Sequence, residues 1–281
     1  MQMGPQRPQG TPRRPGLPPA PRTIVYPLPQ ETRALARSQG GKCHNLGLWL
    51  DRFVLYEQKG TSWELTQQAK RREGAPLDLR IIKPLLEACV ARWQAMLTHY
   101  AQRGYRVEQF SAAPDWRLIV GLGAAHVLET SITLHRIYGF PFIPGSGLKG
   151  MTRAYAELVL GKSEENEDFR RIFGSQQRDR EQAGAIIFFD AIPTQVPLVK
   201  LDVMNPHYGE YYRGGSTPPA DWLSPVPVYF LAVERTPFLF ALAARRKEAN
   251  GLTPTVVKWL KAALNELGVG AKTAAGYGYF S

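Results

Sequence analysis

The sequence predicts an α+β fold, a βαββαβ sheet with helices on one face and long insertions. Short apolar runs closed by glycine alternate along the chain with two segments in which apolar residues recur every three or four positions. Hydrophobic residues make up 44% of the 281 positions, which is enough for a sizeable core in one large domain or two small ones. This composition excludes a wholly disordered chain and a collagen-like fibre.

The first half of the body supplies a strand, a helix and two further strands. Residues 42–53 form an apolar run with interspersed glycine, which we interpret as a strand or its entry loop. Apolar side chains then recur at helical spacing, so we expect an amphipathic helix over 84–104. Residues 116–123 are partly β-branched and closed by glycine, as in a buried strand, and 131–138 are a second strand candidate.

The second half continues the alternation around one long interruption. Residues 192–227 are rich in Pro, Gly and Tyr, which indicates a functional loop or an extended hairpin. A sheet with this order of elements is a common platform for RNA. The other predicted elements are a helix over 146–160 with Ser146 as its N-cap, a fully buried central strand at 184–190, strands at 228–233 and 237–243, a helix over 253–267, and a glycine-rich loop at 270–280 that runs into a terminal strand.

Charge and cysteine content narrow the class of protein. A net charge of +11 makes a polyanion the first partner to consider, with nucleic acid ahead of a membrane surface. The two cysteines, Cys43 and Cys89, have no Cys-x-x-Cys spacing, which argues against a disulfide scaffold or a cysteine-rich zinc module. No stretch approaches the roughly 18 apolar residues of a membrane helix, and residues 1–20 lack the apolar core of a secretory signal. We therefore expect a soluble protein of the cytoplasm.

The N-terminal 40 residues differ in composition from the rest. They hold six arginines and one acid, so they carry +5 of the net charge and leave +6 for the body. Nine prolines between Pro5 and Pro29 predict an extended or disordered tail. It is either a solvated tail or a basic arm that contacts RNA or a neighbouring subunit. We expect residues 41–281 to form a single domain with an insertion at about 192–227.

Two motifs combine glycines with a lysine, at 144–150 and at 268–273. A Walker A loop needs Gly-Lys-Ser/Thr between a strand and a helix, whereas Lys272 follows an alanine and lies after a helix. The Rossmann pattern also fails, because no acidic residue ends a second parallel strand about 20 positions after the first motif. ATP and NAD are therefore disfavoured as ligands, and no cofactor is expected.

Both motifs suit a sugar-phosphate backbone. The amides at a helix start near Ser146 favour an anion, and Lys149 and Arg153 lie four positions apart on one helix face. In the second motif Lys272 offers charge, and Tyr277 could stack on a base. The plain alternatives are a capped helix with solvated basic side chains, and a helix C-cap followed by a hairpin-like turn.

Taken together, residues 143–153 and 270–278 resemble the RAMP superfamily of CRISPR proteins, whose helix start reads PGSSLKG-x-x-R and whose C-terminal loop is glycine-rich. Gly147 replaces the usual second serine and Ser146 keeps the first. The resemblance spans about residues 42–281. Within the superfamily, the segments 45–48, 123–138 and 202–212 are similar to the sixth subunit of the type III-B Cmr effector complex.

The resemblance implies a ferredoxin-like (RRM-like) fold and a non-catalytic RNA-binding backbone or capping subunit. Its partners would be the 3′ part of the CRISPR RNA guide, target RNA and other Cmr subunits, namely neighbouring RAMP backbone subunits and a small helical subunit, in antiviral defence. The insertion at 192–227 would be a thumb-like element between guide and target. The expected RNA-binding residues are Asn45, Arg52, Gly145, Ser146, Lys149, Arg153, Gly270, Lys272, Thr273 and Tyr277.

Catalysis is the main alternative, because some RAMP relatives cut RNA. Histidines could act as general acid and base in metal-independent cleavage of CRISPR repeat RNA at a 2′-hydroxyl. The candidates are His44, His99, His126, His135 and His207. Asp51 could occupy an early loop like that of the slicing backbone subunit, but no motif around it requires this role. The favoured hypothesis is an RNA-binding subunit without catalytic or metal-binding residues. A third hypothesis is a purely structural protein–protein adaptor.

Overall fold

The computed structural model describes residues 23–39, 42–175, 181–212, 214–220 and 222–281. The strands are β1 (Ile24–Val25), β2 (Tyr56–Lys59), β3 (Ser62–Leu65), β4 (Val107–Ala112), β5 (Arg117–Leu118), β6 (Gly174–Ser175), β7 (Gln182–Ala183), β8 (Ile186–Phe188), β9 (Ile192–Pro193), β10 (Leu198–Met204), β11 (Val228–Glu234) and β12 (Phe238–Ala244). The helices are α1 (Gln30–Gln39), α2 (Leu46–Arg52), α3 (Gln67–Lys70), α4 (Lys83–Gln102), α5 (Gly145–Leu158), α6 (Glu167–Phe173), α7 (Gly209–Tyr212) and α8 (Thr253–Glu266). Short 3₁₀ turns lie at Leu79–Ile82, Lys247–Leu252 and Thr273–Ala275.

The main sheet is antiparallel and is organised around β12. Strand β4 pairs with one edge of β12, and β8 and β9 pair with the other edge. All seven residues of β12 are buried, because core side chains cover both of its faces. The prediction that residues 184–190 form the central strand is wrong. Among the described strands β8 pairs with β12 alone, so it lies at the edge of this sheet. Its residues are apolar because α5 and α6 pack against it.

Helices cover the main sheet on both faces. Side chains alternate along a strand, so Phe238, Phe240 and Leu242 point to the face on which α5 and α8 pack. Leu239 points the other way, into a second cluster that includes residues of α2 and Leu86 of α4. The prediction of helices on one face is therefore wrong, because the N-terminal helices supply a second apolar layer. The result is a mixed α+β fold with antiparallel sheets.

A second antiparallel sheet has the order β10–β11–β5. Strands β10 and β11 pair over seven positions, from Leu198 opposite Glu234 to Met204 opposite Val228. They form an extended hairpin whose long connection contains α7. One of the two forms expected for 192–227 is thus present.

The long periodic elements agree with their predictions, and several shorter ones do not. Helices α4, α5 and α8 and strands β11 and β12 lie where the apolar periodicity places them. Residues 42–53 are wrong as a strand, because Asn45 caps α2 by accepting a hydrogen bond from the Leu48 amide. Residues 131–138 form no strand, since the chain turns back at His135. The buried strand predicted at 116–123 shortens to β5.

The predicted terminal strand is also absent. Gly278 donates its amide to the Arg117 carbonyl, and Phe280 donates to Leu264 at the end of α8. The C-terminus is thus held by contacts to a strand and a helix end rather than by a ladder. The predicted tail falls partly on residues 1–22 and 40–41, which lie outside the described residues. At 23–39 the structure contains β1, which pairs with β2, and α1, which buries Ala36.

No helix within the described ranges combines the length and apolar content needed to cross a membrane.

Candidate nucleic-acid interface

The start of α5 and the C-terminal glycine-rich loop meet at one cleft of about 580 Å³. We call it the glycine cleft, and its walls are Val120, Gly121, Thr133, Ile143, Pro144, Ser146, Gly147, Met151, Ala154, Leu267, Gly268, Val269, Gly270 and Thr273. The two glycine motifs of the sequence, far apart along the chain, therefore form opposite walls of a single site. Three of the predicted RNA-binding residues line it directly, namely Ser146, Gly270 and Thr273.

Close backbone packing shapes this cleft. Gly270 has φ +93°, and a Cβ at this position would lie 2.1 Å from the carbonyl oxygen of Ile119. A Cβ at Gly145 would lie 2.1 Å from the Phe188 carbonyl oxygen. Only glycine fits either position without movement of the backbone. Gly145 is buried, so it sets the position of α5 against β8, whereas Gly270 is exposed at the cleft.

The N-terminus of α5 is capped differently from the prediction. The N-cap is Pro144, which has no side-chain hydrogen bond, and the Gly145 amide donates to Asp190 Oδ1 at 2.7 Å. Ser146 is therefore wrong as the N-cap, because the carboxylate that follows β8 takes this role. The carboxylate also meets part of the positive end of the helix dipole. The Ser146 side chain lies exposed in the first turn, at the edge of the glycine cleft.

Neither Lys272 nor Tyr277 lines the glycine cleft. Lys272 has φ +61°, and its ammonium lies 5.7 Å from the centre of the Phe230 ring and 4.0 Å from the Met204 sulfur. Tyr277 is only 6% exposed, and Trp116 and Phe230 pack against its ring. The expectation that Tyr277 stacks on a base is wrong for this conformation, since both neighbours already cover the ring.

Tyr277 instead belongs to a hydrogen-bond network that ties the C-terminal loop to the β10–β11–β5 sheet. Its hydroxyl donates to Asp202 Oδ2 at 2.7 Å, and Arg117 donates to both Asp202 and Glu234. Burial and the Asp202 carboxylate raise the pKa of Tyr277 to about 12. Burial acts to raise the pKa of Asp202, but hydrogen bonds from Tyr277, Val203 and Arg117 hold that pKa below its usual value. The network fixes the loop behind the glycine cleft.

Lys149 and Arg153 lie on another side of α5, in a separate depression of about 740 Å³. We call it the cationic groove and define it by Lys149, Arg153, Glu164 and Arg245 together with residues 173–175, 182–184 and 186–187. Arg153 donates to Glu157 at 2.9 Å and to Glu164 at 3.0 Å. Burial and the positive charges of Arg153 and Arg245 lower the pKa of Lys149. The structure thus separates the two lysines of the glycine motifs instead of bringing them to one site.

The remaining predicted residues lie near a third depression of about 500 Å³. Arg52 lines it together with Asp51, His126, His135 and other residues of the segment 131–136. Asn45 is occupied structurally, because its side chain accepts from the Leu48 amide and donates to the Ile137 carbonyl. Asn45 therefore holds α2 against the 131–138 segment. Arg52, the other predicted residue here, has an exposed side chain.

The family model described as the RAMP superfamily matches residues 117–281, more than half of the chain and both glycine motifs. The chain belongs to the RAMP superfamily. Curated relatives of this RAMP protein include the Cmr subunit Cmr6 of the CRISPR system of Pyrococcus furiosus, 37% identical over 220 residues that cover 58% of this chain and 64% of the relative. Another is the Cmr6 subunit of Saccharolobus solfataricus, 26% identical, covering 63% of this chain and 58% of the relative. The chain thus spans less than two thirds of the length of either relative.

Among solved structures, a chain of a type III-B Cmr-beta complex bound to cognate target RNA, determined by cryo-EM, superposes with a TM-score of 0.59. The identity is 22%, and the superposition covers 75% of this RAMP protein and 70% of the other chain. At this identity the likeness establishes a shared fold.

Two of the candidate histidines, His126 and His135, use ring nitrogens in hydrogen bonds within the fold. His126 accepts a hydrogen bond from the Leu128 amide at Nδ1, and its Nε2 lies 3.0 Å from Asp51 Oδ1. Both ring nitrogens are therefore occupied, in a pattern that fits the Nε2–H tautomer. His135 accepts at Nδ1 from the amides of Ile137 and Tyr138, and burial lowers its pKa.

Sequence reasoning missed three residues that matter to the RAMP protein's surface. Asp190 caps α5, Thr133 lines the glycine cleft, and Arg245 completes the cationic groove. The run Arg245-Arg246-Lys247 directly after an apolar strand was the available signal for a basic sheet edge. Thr133 and Asp190 have no such signal, because only tertiary folding brings them to α5.

Proposed function

We propose that this RAMP protein is a non-catalytic RNA-binding subunit of a type III-B CRISPR (Cmr) ribonucleoprotein complex in the cytoplasm. It extends or caps the backbone of the complex and holds the 3′ part of the CRISPR RNA guide for interference with target RNA. Its partners are the guide, target RNA, neighbouring RAMP subunits and the small helical subunit. The observation that carries the proposal is the glycine cleft, in which the two superfamily motifs become one site. The similarity to proteins named Cmr6 supports the choice of complex.

The glycine cleft suits the sugar-phosphate backbone of a single strand. Walls without side chains at Gly147 and Gly270 let a strand approach the main chain closely. The hydroxyls of Ser146 and Thr273 lie in the lining, where they can donate to phosphate oxygens or pair with a 2′-hydroxyl. No lysine or arginine lines this cleft within the described residues, so contact there depends on shape and hydrogen bonding. Such contacts are independent of base sequence, as a guide of variable sequence requires.

A ferredoxin-like core is the architecture that we propose beneath this site. Its support is the antiparallel arrangement of β4, β12 and β8 with α5 and α8 packed on one face. We propose that residues 41–281 form one domain around this core. The insertion at 192–227 would reach between guide and target, and the strong exposure of Tyr212 and Trp222 in its connection supports a role in contacts outside the domain.

We propose binding and assembly rather than cleavage as the role of this chain. The engagement of both His126 nitrogens supports this choice over the endoribonuclease alternative. Five of the predicted RNA-binding residues have one of two roles at the glycine cleft. Ser146, Gly270 and Thr273 would contact the guide directly, and Gly145 and Tyr277 would hold the cleft in shape.

Introducing a carboxylate into the glycine cleft tests the proposal. A Cβ at Gly147 meets no atom within 4 Å, so Gly147→Glu should fold normally and place a negative charge where the strand runs. We expect binding of a fluorescent single-stranded guide RNA, measured by anisotropy, to weaken about tenfold through phosphate repulsion. Gly147→Gln, which has the same size without the charge, should bind nearly as well as the wild type.

The matched control is Gly251→Glu, because Gly251 is equally open and lines none of the three depressions. Equal affinity of Gly147→Glu and Gly251→Glu would contradict RNA binding at the glycine cleft. Assembly with neighbouring subunits but no RNA contact by the wild type would identify a protein–protein adaptor. Discrete products from repeat RNA in EDTA, lost in His126→Ala, would support the endoribonuclease instead.

A further inference from the structure

The cationic groove lies across α5 from the glycine cleft. Lys149 and Arg153 are one helical turn apart on α5. Arg245, the residue directly after β12, lines the same groove. In contrast, Ser146 and Gly147 lie on the side of α5 that faces the C-terminal loop. The same helix thus presents a nearly uncharged wall to one depression and two cations to the other.

The groove carries unbalanced positive charge. Its carboxylate, Glu164, already accepts hydrogen bonds from Arg153 and from Ser175. Among the described residues no carboxylate forms an ion pair with Lys149 or with Arg245. Lys149 is half-buried next to two guanidinium groups, an arrangement that costs free energy unless an anion offsets it.

The shape of the groove fits a strand that passes through it. Buried Gly174 and half-buried Gly184 keep the β6–β7 ribbon tight against α6, since a Cβ at Gly184 would lie 2.5 Å from the Ile172 carbonyl oxygen. The depression continues along this ribbon into a neighbouring one, whose charged lining residues are Arg171, Arg245 and Arg246 together with Glu181 and Glu248. Arg245 lines both depressions, so an extended anion can pass from one to the other, which fits successive phosphates of a chain better than one small anion.

We propose that the cationic groove binds a second stretch of RNA sugar-phosphate backbone, separate from the stretch in the glycine cleft, through Lys149 and Arg245. The identity of the polyanion rests on the proposed function. The two contacts would lie on either side of α5, so a long RNA would engage both and a short RNA could occupy the glycine cleft alone.

The double variant Lys149→Ala/Arg245→Ala tests this second contact. RNAs of about 6 and about 24 nucleotides are titrated by anisotropy at several salt concentrations. We expect the long RNA to bind about tenfold more weakly than to wild type, and its log–log salt slope to shrink by about 1.4, that is about 0.7 for each lost phosphate contact. The affinity for the short RNA should change little.

The matched control is Lys258→Ala/Arg103→Ala, which removes the same charge from exposed positions outside the cleft and the grooves. Lys149→Arg/Arg245→Lys keeps the charge and should restore binding, which separates loss of contact from loss of folding. Equal salt slopes for the test and control pairs would overturn the proposal. So would unchanged RNA binding together with loss of affinity for a glutamate-rich peptide, since the groove would then serve an acidic protein.

The outcome is distinct from that for the glycine cleft. Normal behaviour of Gly147→Glu with a defective Lys149→Ala/Arg245→Ala pair would leave the cationic groove as an RNA site and remove the glycine cleft. The reverse result would retain the proposed function and reject the groove.

Discussion

The glycine cleft and the cationic groove lie on two sides of the same helix and are built in opposite ways. In the glycine cleft the backbone makes the site, through glycines such as Gly270 that pack against neighbouring carbonyls. In the cationic groove side chains make it, through Lys149 and Arg245, and the backbone only sets the width. The difference teaches that a glycine–lysine motif need not act as one unit, because its glycines and its lysine can serve different surfaces.

The largest effect is expected from a methyl group in the glycine cleft. Gly270→Ala places a Cβ 2.1 Å from the Ile119 carbonyl at φ +93°, so we expect a loss of about 3 kcal/mol or more in the free energy of unfolding. Gly276→Ala is the matched control, since its φ of +86° is similar but no atom lies within 4 Å. It should cost only about 1 kcal/mol of backbone strain. Urea denaturation measures both, and similar losses would show that strain rather than packing shapes the loop.

A smaller effect is expected from the network behind the cleft. Tyr277→Phe removes the hydroxyl that donates to Asp202 and leaves the ring contacts in place. Because the acceptor is a charged carboxylate, we expect a loss of about 1.5–3 kcal/mol in the free energy of unfolding. RNA binding at the glycine cleft should weaken at the same time, whereas the salt slope assigned to the cationic groove should not change. If Tyr277→Phe is as stable as the wild type, the hydrogen bond to Asp202 does not stabilise the C-terminal loop.

The smallest effect is a pH dependence. The pKa of Tyr277 is raised to about 12 in the folded protein, against a usual value near 10 in the unfolded chain. Above pH 10 the unfolded chain loses this proton more readily, so the stabilising effect of Tyr277 is complete below pH 10 and declines as the pH rises toward 12. The stability difference between wild type and Tyr277→Phe should therefore narrow by roughly 1 to 2 kcal/mol over that interval. A constant difference in denaturation series from pH 9 to pH 12 would contradict this.

The elements that the sequence predicts well are those with strong local periodicity. Helices α4, α5 and α8 and strands β11 and β12 have long apolar patterns and glycine or proline at their ends. The prediction of a strand at α2 is wrong because a short, nearly continuous apolar run fits either a strand or a helix. The hydrogen bond from the Leu48 amide to the Asn45 side chain favours the helix. The order of strands in the sheet was also missed, since both β8 and β12 read as continuous apolar runs.

The candidate site could likewise be predicted only in part from the sequence. That both glycine motifs matter could be predicted from their residues, and the structure brings Ser146, Gly270 and Thr273 to one cleft. The direction of each cation could not be predicted. Lys272 has a left-handed backbone and its ammonium lies near the Phe230 ring, and Lys149 meets Arg245 only because tertiary folding brings α5 and the end of β12 to one groove.

The central claim is that the two glycine motifs form one RNA-binding cleft, and photo-crosslinking tests it most directly. A guide RNA that carries photoreactive uridines is bound to the protein with its partner subunits, irradiated and digested, and the crosslinked peptides are identified by mass spectrometry. We predict crosslinks on both walls of the cleft, in residues 144–147 and 267–273. Crosslinks confined to other parts of this chain, with neither wall labelled, would contradict the account.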